Sequence, residues 1–200
     1  MKPNKIVKLI GGGVVIAILV YSFLQGEKLS FEETIKAHRV KITEFMKADS
    51  ESPLPDTLKS GFEGLNYFTP DPSYKIRAAL DRITDNSKLS IPTNDGEIRV
   101  FTRYAYANFE FSGKPHQLTL LLPNEGDLLF LAFGDLTNGN STYGGGRYLD
   151  IEKTNGNKIT IDFNLAYNPY CAYGADYSCP LPPAENKLSI SIYAGEKNFN

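Results

Sequence analysis

The 200-residue chain contains no tryptophan and only two each of cysteine, methionine and histidine. With His38 on a helical stripe and His116 at the start of a predicted strand, a Ser-His-Asp arrangement finds little support. Gly-x-Ser-x-Gly, His-Glu-x-x-His, P-loop and dinucleotide-binding patterns are all missing. Excess charge of one sign is missing too. The 21 Lys and Arg against 23 Asp and Glu leave a net charge of −2, without the basic clusters that displace counterions from nucleic acid. Residues 135–140 carry too few carboxylates for the six to eight oxygens calcium takes. No cofactor, metal or nucleic-acid partner is therefore expected. No internal repeat is visible, and no domain linker follows residue 60.

One long hydrophobic run is present. Lys2, Lys5 and Lys8 precede an uncharged stretch from Leu9 to Gly26. About eighteen helical residues rise roughly 27 Å, enough to cross a bilayer core. A cleaved signal peptide is the rival reading, with its charged start and short apolar centre. No Ala-x-Ala site follows Leu24, and no cysteine lies nearby for lipid attachment, so an uncleaved anchor is favoured. Lysines ahead of the run hold the N-terminus in the cytoplasm. The chain thus reads as a single-pass inner-membrane protein with an extracytoplasmic, periplasmic domain.

After this anchor (1–26), residues 27–60 read as an amphipathic helix and connector. Ser30 and Glu33 form a capping box, and Phe31, Ile35, His38, Ile42 and Phe45 share one face. From residue 61 to 200 the pattern is that of strands. Tyr74, Ile76, Ala78 and Leu80 alternate with polar residues. Asn94-Asp95-Gly96 and Ser112-Gly113 mark hairpin turns, and Leu128–Phe133 is an apolar core strand. Arg147–Glu152 and Lys158–Phe163 read as hairpin partners through Asn155-Gly156, and Leu188, Ile190 and Ile192 as a last strand. About eight strands make the fold class mainly β: an antiparallel sandwich or partly closed barrel.

Polar and aromatic residues crowd the connections between Phe133 and Glu196 beyond what turns need, and such loops carry function. Asp135, Arg147, Asp150, Asp162, Asn164, Asn168, Glu185, Asn186 and Glu196 all fall at strand ends or in loops. A turn-forming role explains many of them singly. Together, Asp135, Thr142, Tyr143, Arg147, Tyr148, Asp162, Asn164, Tyr167, Asn168, Glu185 and Asn186 form a candidate ligand-site cluster. In it Arg147 is expected to meet Asp162 or another loop carboxylate. Cys171 and Cys179, outside the membrane, read first as a disulfide; a zinc site would need two further ligands.

Several words in this region recur in one order: Tyr67-Phe68, Asp71-Pro72, Gly146-Arg147-Tyr148-Leu149, Asp162-Phe163-Asn164, Ala166-Tyr167-Asn168-Pro169, Cys179-Pro180-Leu181-Pro182-Pro183 and Ala194-Gly195-Glu196. With them the stretch from about Phe62 to Lys197 resembles a bacterial family known as Domain of Unknown Function 1684, which implies no activity. Two functions stay open: binding of a polar ligand or envelope partner by the loops, or a carboxylate-based hydrolase or lyase using the same cluster. The anchor has a direct test. A reporter fused after Asn200 is expected to be active only outside the cytoplasm, with the full chain in the membrane fraction. Cytoplasmic activity of that reporter would exclude the topology.

Overall fold

The computed structural model describes residues 29–174 and 177–199. The run 9–26 and its role as an anchor lie outside them. Among the described residues no helix is long and apolar enough to cross a membrane.

Helix α1 (Phe31–Ala48) starts where the sequence pattern places it. The Ser30 hydroxyl accepts from the Glu33 amide at 3.3 Å, and the Glu33 carboxylate accepts from the Ser30 amide at 2.8 Å. Ile35 and Met46 are its buried residues, while Lys36 and Glu32 pair on the outside. The connector holds one short turn of helix, α2 (Asp56–Lys59).

Seven strands follow: β1 (Lys75–Arg82), β2 (Lys88–Pro92), β3 (Ile98–Phe111), β4 (Lys114–Leu122), β5 (Leu129–Phe133), β6 (Arg147–Ile151) and β7 (Lys158–Asp162). They form one antiparallel sheet in the order β6-β5-β4-β3-β1-β7. β1 and β2 lie end to end along the same edge of the long β3, with Arg82 opposite Ala105 and Lys88 opposite Thr102. The Asn94-Asp95-Gly96 turn then returns the chain into β3, with Gly96 at φ +88°.

The sheet curls into a half-barrel. The chain from Ile151 to Lys158 joins the two edges and can reach at most roughly 25 Å fully extended. Six flat strands would set those edges roughly 24 Å apart. A bent connection through Gly156 is therefore only possible if the sheet curls. No second sheet faces it among the described residues, so the partly closed arrangement forms and the sandwich does not.

Two expectations are corrected here. β6 and β7 are not a hairpin: β6 pairs with β5, with Arg147 opposite Phe133, and β7 pairs with β1, with Lys75 opposite Asp162. Asn155-Gly156 is a bend between opposite edges. Leu188–Ile192 is not a strand either. Its backbone pairs instead with the segment that follows β5, through the Gly134–Lys187 bridge and the bonds from Leu188 N to Gly134 O, from Leu136 N to Ile190 O and from Ile192 N to Asp135 Oδ1. Its alternation reflects burial: Leu188, Ile192 and Ala194 enter the main core beside Leu131, Phe133, Leu149, Ile161 and Phe163. A single curled sheet has no partner layer, and this tail completes its core.

Candidate functional site

Strand β6 separates two environments. Alternate residues of a strand point to opposite faces, so Arg147, Leu149 and Ile151 go one way, Tyr148 and Asp150 the other. Arg147 has no solvent exposure. Its Nη2 donates to Asp135 Oδ2 at 2.8 Å and to the Ile192 carbonyl at 2.9 Å. Nη1 donates to the carbonyls of Ala194 and Glu196. One guanidinium thus holds every second carbonyl of the extended tail. Asp135 Oδ1 accepts from the amide and hydroxyl of Thr137 and from the Ile192 amide. Thr142 closes the set through the Thr137 hydroxyl at 2.8 Å. Gly146 precedes Arg147 at φ +86°, where a Cβ would fall 2.7 Å from the Phe133 carbonyl. Only glycine fits.

The asparagines of the cluster act as backbone surrogates. The Asn186 amide accepts from Thr119 N at 2.7 Å and donates to the carbonyls of Thr119 and Ala132, each at 3.0 Å. It fills the gap where β4 and β5 diverge, their ladder being the single pair Leu121–Phe130. Asn164 exchanges two hydrogen bonds with the backbone of Asp71 and donates to Asp162 Oδ1. Glu185 lies at the surface in a forked pair with Arg103 and is not joined to Arg147. Arg147 thus meets Asp135, not Asp162, and Asp162 faces Lys75 at 3.7 Å.

On the other face of β6 a cavity of about 600 Å³ opens. Tyr148, Asn164, Tyr167 and Asn168 of the predicted cluster line it; Asp135, Thr142, Tyr143, Arg147, Asp162, Glu185 and Asn186 do not. Segment 166–168 runs beside β6, with Tyr148 and Tyr167 exchanging backbone hydrogen bonds at 2.8 and 3.0 Å. Helix α1 contributes His38, Ile42 and Phe45 to the wall. Cys171 and Cys179, bonded at 2.03 Å, tie the loop behind Tyr170 to the segment carrying Pro180. The Tyr148 hydroxyl donates to the Pro180 carbonyl at 2.5 Å.

Two carboxyls outside the predicted cluster also border the cavity. Asp150 is open to it and accepts from the Tyr167 hydroxyl at 2.8 Å. Burial raises its proton affinity and that bond lowers it. Glu196 is buried and takes three donors: the Tyr173 hydroxyl at 2.5 Å, Asn168 Nδ2 at 2.8 Å and Asn168 N at 2.9 Å. Burial outweighs these bonds and the nearby Arg147, and pushes its pKa up to about 7. Both phenols are shifted upward by burial and by their carboxyl partners, so they stay protonated donors. Burial lowers His38, with Arg39 and Lys41 adding to it. Environment, rather than a second carboxyl, sets each acid, unlike the coupled pairs used for proton exchange. The pattern Tyr-x-Asp on a strand was the available signal for Asp150, since it sets ring and carboxylate side by side.

Fold and site together define a mainly antiparallel β domain, curled round its own C-terminal tail, with an aromatic cavity at one sheet edge. The chain belongs to the family described as protein of unknown function (DUF1684), whose profile matches residues 60–197. It is similar to an uncharacterised protein of Haloarcula marismortui with a solution NMR structure, at 35% identity and a TM-score of 0.66, covering 82% of this chain and 92% of that one. No curated protein matches the chain.

Two measurements check this account. Arg147→Ala strands Asp135 and releases the tail, and is expected to cost roughly 3–5 kcal/mol of stability; Lys153→Ala, on the connection between the sheet edges, should change it by less than about 0.5 kcal/mol. Denaturant unfolding reads both. Glu196 has the higher proton affinity in the folded state, so between about pH 4.5 and 7 the native form holds a proton that the unfolded chain releases. Its contribution is then fully present below about pH 4.5 and is lost as pH rises through about 7. Glu196→Gln should remove this decline, worth up to about 3 kcal/mol, from the difference between variant and wild-type pH–stability curves.

Proposed function

We propose that this domain is a binding module that takes a small molecule into the cavity on the Tyr148 face of β6. The observation that carries the reading is the cavity itself. Its volume, about 600 Å³, lies in the range of small-ligand sites, and rings of Phe130, Tyr148, Tyr167 and Tyr170 line it beside the polar groups of Arg99, Asp150 and Glu196. Such a lining suits a ligand with an apolar body and one polar end. Within the cluster read from sequence, Tyr148 and Tyr167 make the contacts, while Asn164, Asn168, Arg147, Asp135, Thr142, Asp162 and Asn186 hold the frame around them. The run 9–26 supports an inner-membrane anchor that sets this module on the periplasmic side, where ligands from the envelope reach it.

The hydrolase or lyase reading has less behind it. Of the two carboxyls bordering the cavity, Glu196 already has its donors, and each acid is set by burial instead of by the other. A fragment library screened against the chain tests the binding reading. Hits at one hundred times their Kd are expected to raise apparent stability by about 2.7 kcal/mol. Their NMR perturbations should centre on Tyr148, Tyr167 and Tyr170. Hits that map only to other surfaces would refute it.

A further inference from the structure

The polar end of that ligand is written in the surroundings of Asp150. Asp150 sits directly across from Phe130 in the β5–β6 ladder and one alternation along from Tyr148 on the same face. Phe130 and Tyr148 meet edge to face at 4.8 Å with planes at 71°, and Tyr148 and Tyr167 at 5.9 Å with planes at 89°. Three rings at steep angles thus border the cavity beside one carboxylate, with Phe130 also stacked on Phe101 at 5.3 Å. The two hydroxyls are occupied, Tyr148 on Pro180 O and Tyr167 on Asp150 Oδ2. What these tyrosines bring to the cavity border is therefore their rings, whose faces carry negative quadrupole charge.

Among the described residues Asp150 has no ion-pair partner. His38, which borders the cavity from helix α1, is held toward its neutral form by burial and does not balance it. Glu196, also at the cavity, has its own donors and Arg147 behind it. Arg99 on β3 borders the same cavity and is the group an anionic ligand would seek. It makes no ion pair with Asp150 and leaves that carboxylate uncompensated among the rings.

We propose that the cavity takes an organic cation, an alkylated ammonium held by the Asp150 carboxylate against the faces of Phe130, Tyr148 and Tyr167. Ring faces attract such a cation without asking it for hydrogen-bond donors, and the attraction grows when the site is desolvated. The carboxylate supplies the counter-charge. This assignment rests on the cavity being a small-ligand site and names the class of ligand.

The test uses the full chain in an uncharged maltoside detergent and three probes of one shape: choline, its neutral isostere 3,3-dimethylbutan-1-ol, and the anion 3,3-dimethylbutanoate. NMR titration follows resonances of Phe130, Tyr148 and Tyr167. Choline is expected to bind at least about tenfold more tightly than the alcohol. Asp150→Asn should abolish that margin, and Arg99→Ala, which removes a like charge from the cavity border, should not reduce it. Phe130→Leu should weaken choline more than the alcohol, which keeps the test alive if the Asp150 variant fails to fold. Equal binding of choline and the alcohol, indifferent to Asp150→Asn, overturns the cation assignment and leaves the cavity reading standing. Preference for the anion, lost in Arg99→Ala, does the same. No probe reaching these rings at any concentration overturns both.

Discussion

The Arg147–Asp135 pair is the interaction on which the rest depends. A single sheet of seven strands cannot bury its inner face against itself, so the core must be closed by whatever else the chain has. Here that is the tail from Leu188 to Glu196, an irregular segment whose backbone carbonyls would otherwise enter the core unpaired. An unpaired buried carbonyl costs on the order of 1–3 kcal/mol. Arg147 meets three of them with one side chain, and Asp135 both neutralises that charge and holds the Ile192 amide. A lysine could not do this, because the fork of the guanidinium reaches several acceptors at fixed angles. Burial works against the charged form of Arg147, and the Asp135 partner opposes that effect.

The same problem, backbone without a neighbouring strand, is solved elsewhere by asparagine. A primary amide carries one acceptor and two donors, like a peptide group with a spare hydrogen. Asn186 occupies the split between β4 and β5; Asn164 pairs with Asp71 as a strand residue would; Asn168 spans Glu196 and the Lys197 carbonyl. These residues are fixed by geometry rather than by chemistry with a ligand. Gly195 belongs with them. At φ +77° it turns the tail so closely over segment 163–166 that a Cβ would lie 2.6 Å from the Ala166 carbonyl.

Local patterns carried much of the fold in the sequence itself. The Ser30 capping box, the hairpin at Asn94-Asp95-Gly96 and the alternation from Tyr74 are each decided by residues close together, and each forms where expected. Two longer-range expectations went otherwise for one reason. Asn155-Gly156 has hairpin chemistry, yet the strands it joins pair with β5 and β1 and leave it spanning the sheet edges. Leu188, Ile190 and Ile192 alternate like a strand because one side is buried, though no ladder is available to them. Turn chemistry and alternation report a local bend and local burial; they do not report which neighbour is free. Period two on β6 divides the polar cluster read from the sequence. Arg147 turns inward to the tail, and Tyr148 turns out to the cavity together with Asp150.

That division also joins frame and cavity through one residue. The Glu196 backbone carbonyl is gripped by Arg147 inside the core, while its side chain reaches the cavity through Asn168 and Tyr173. Asn168 and Tyr167 are adjacent, and Tyr167 meets both the backbone of Tyr148 and the carboxylate of Asp150. A chain of direct contacts therefore runs from the buried guanidinium to the rings around Asp150. Among the described residues the segment 166–168 has no strand on its outer side, so its position is set by these contacts and by the Cys171–Cys179 bond beyond it. Preorganised rings bind more tightly than rings that must be ordered by the ligand, because the ordering entropy is already spent. On this view the density of polar residues between Phe133 and Glu196 has two layers. An inner layer holds the tail, and an outer one, built on the same strand, faces the cavity.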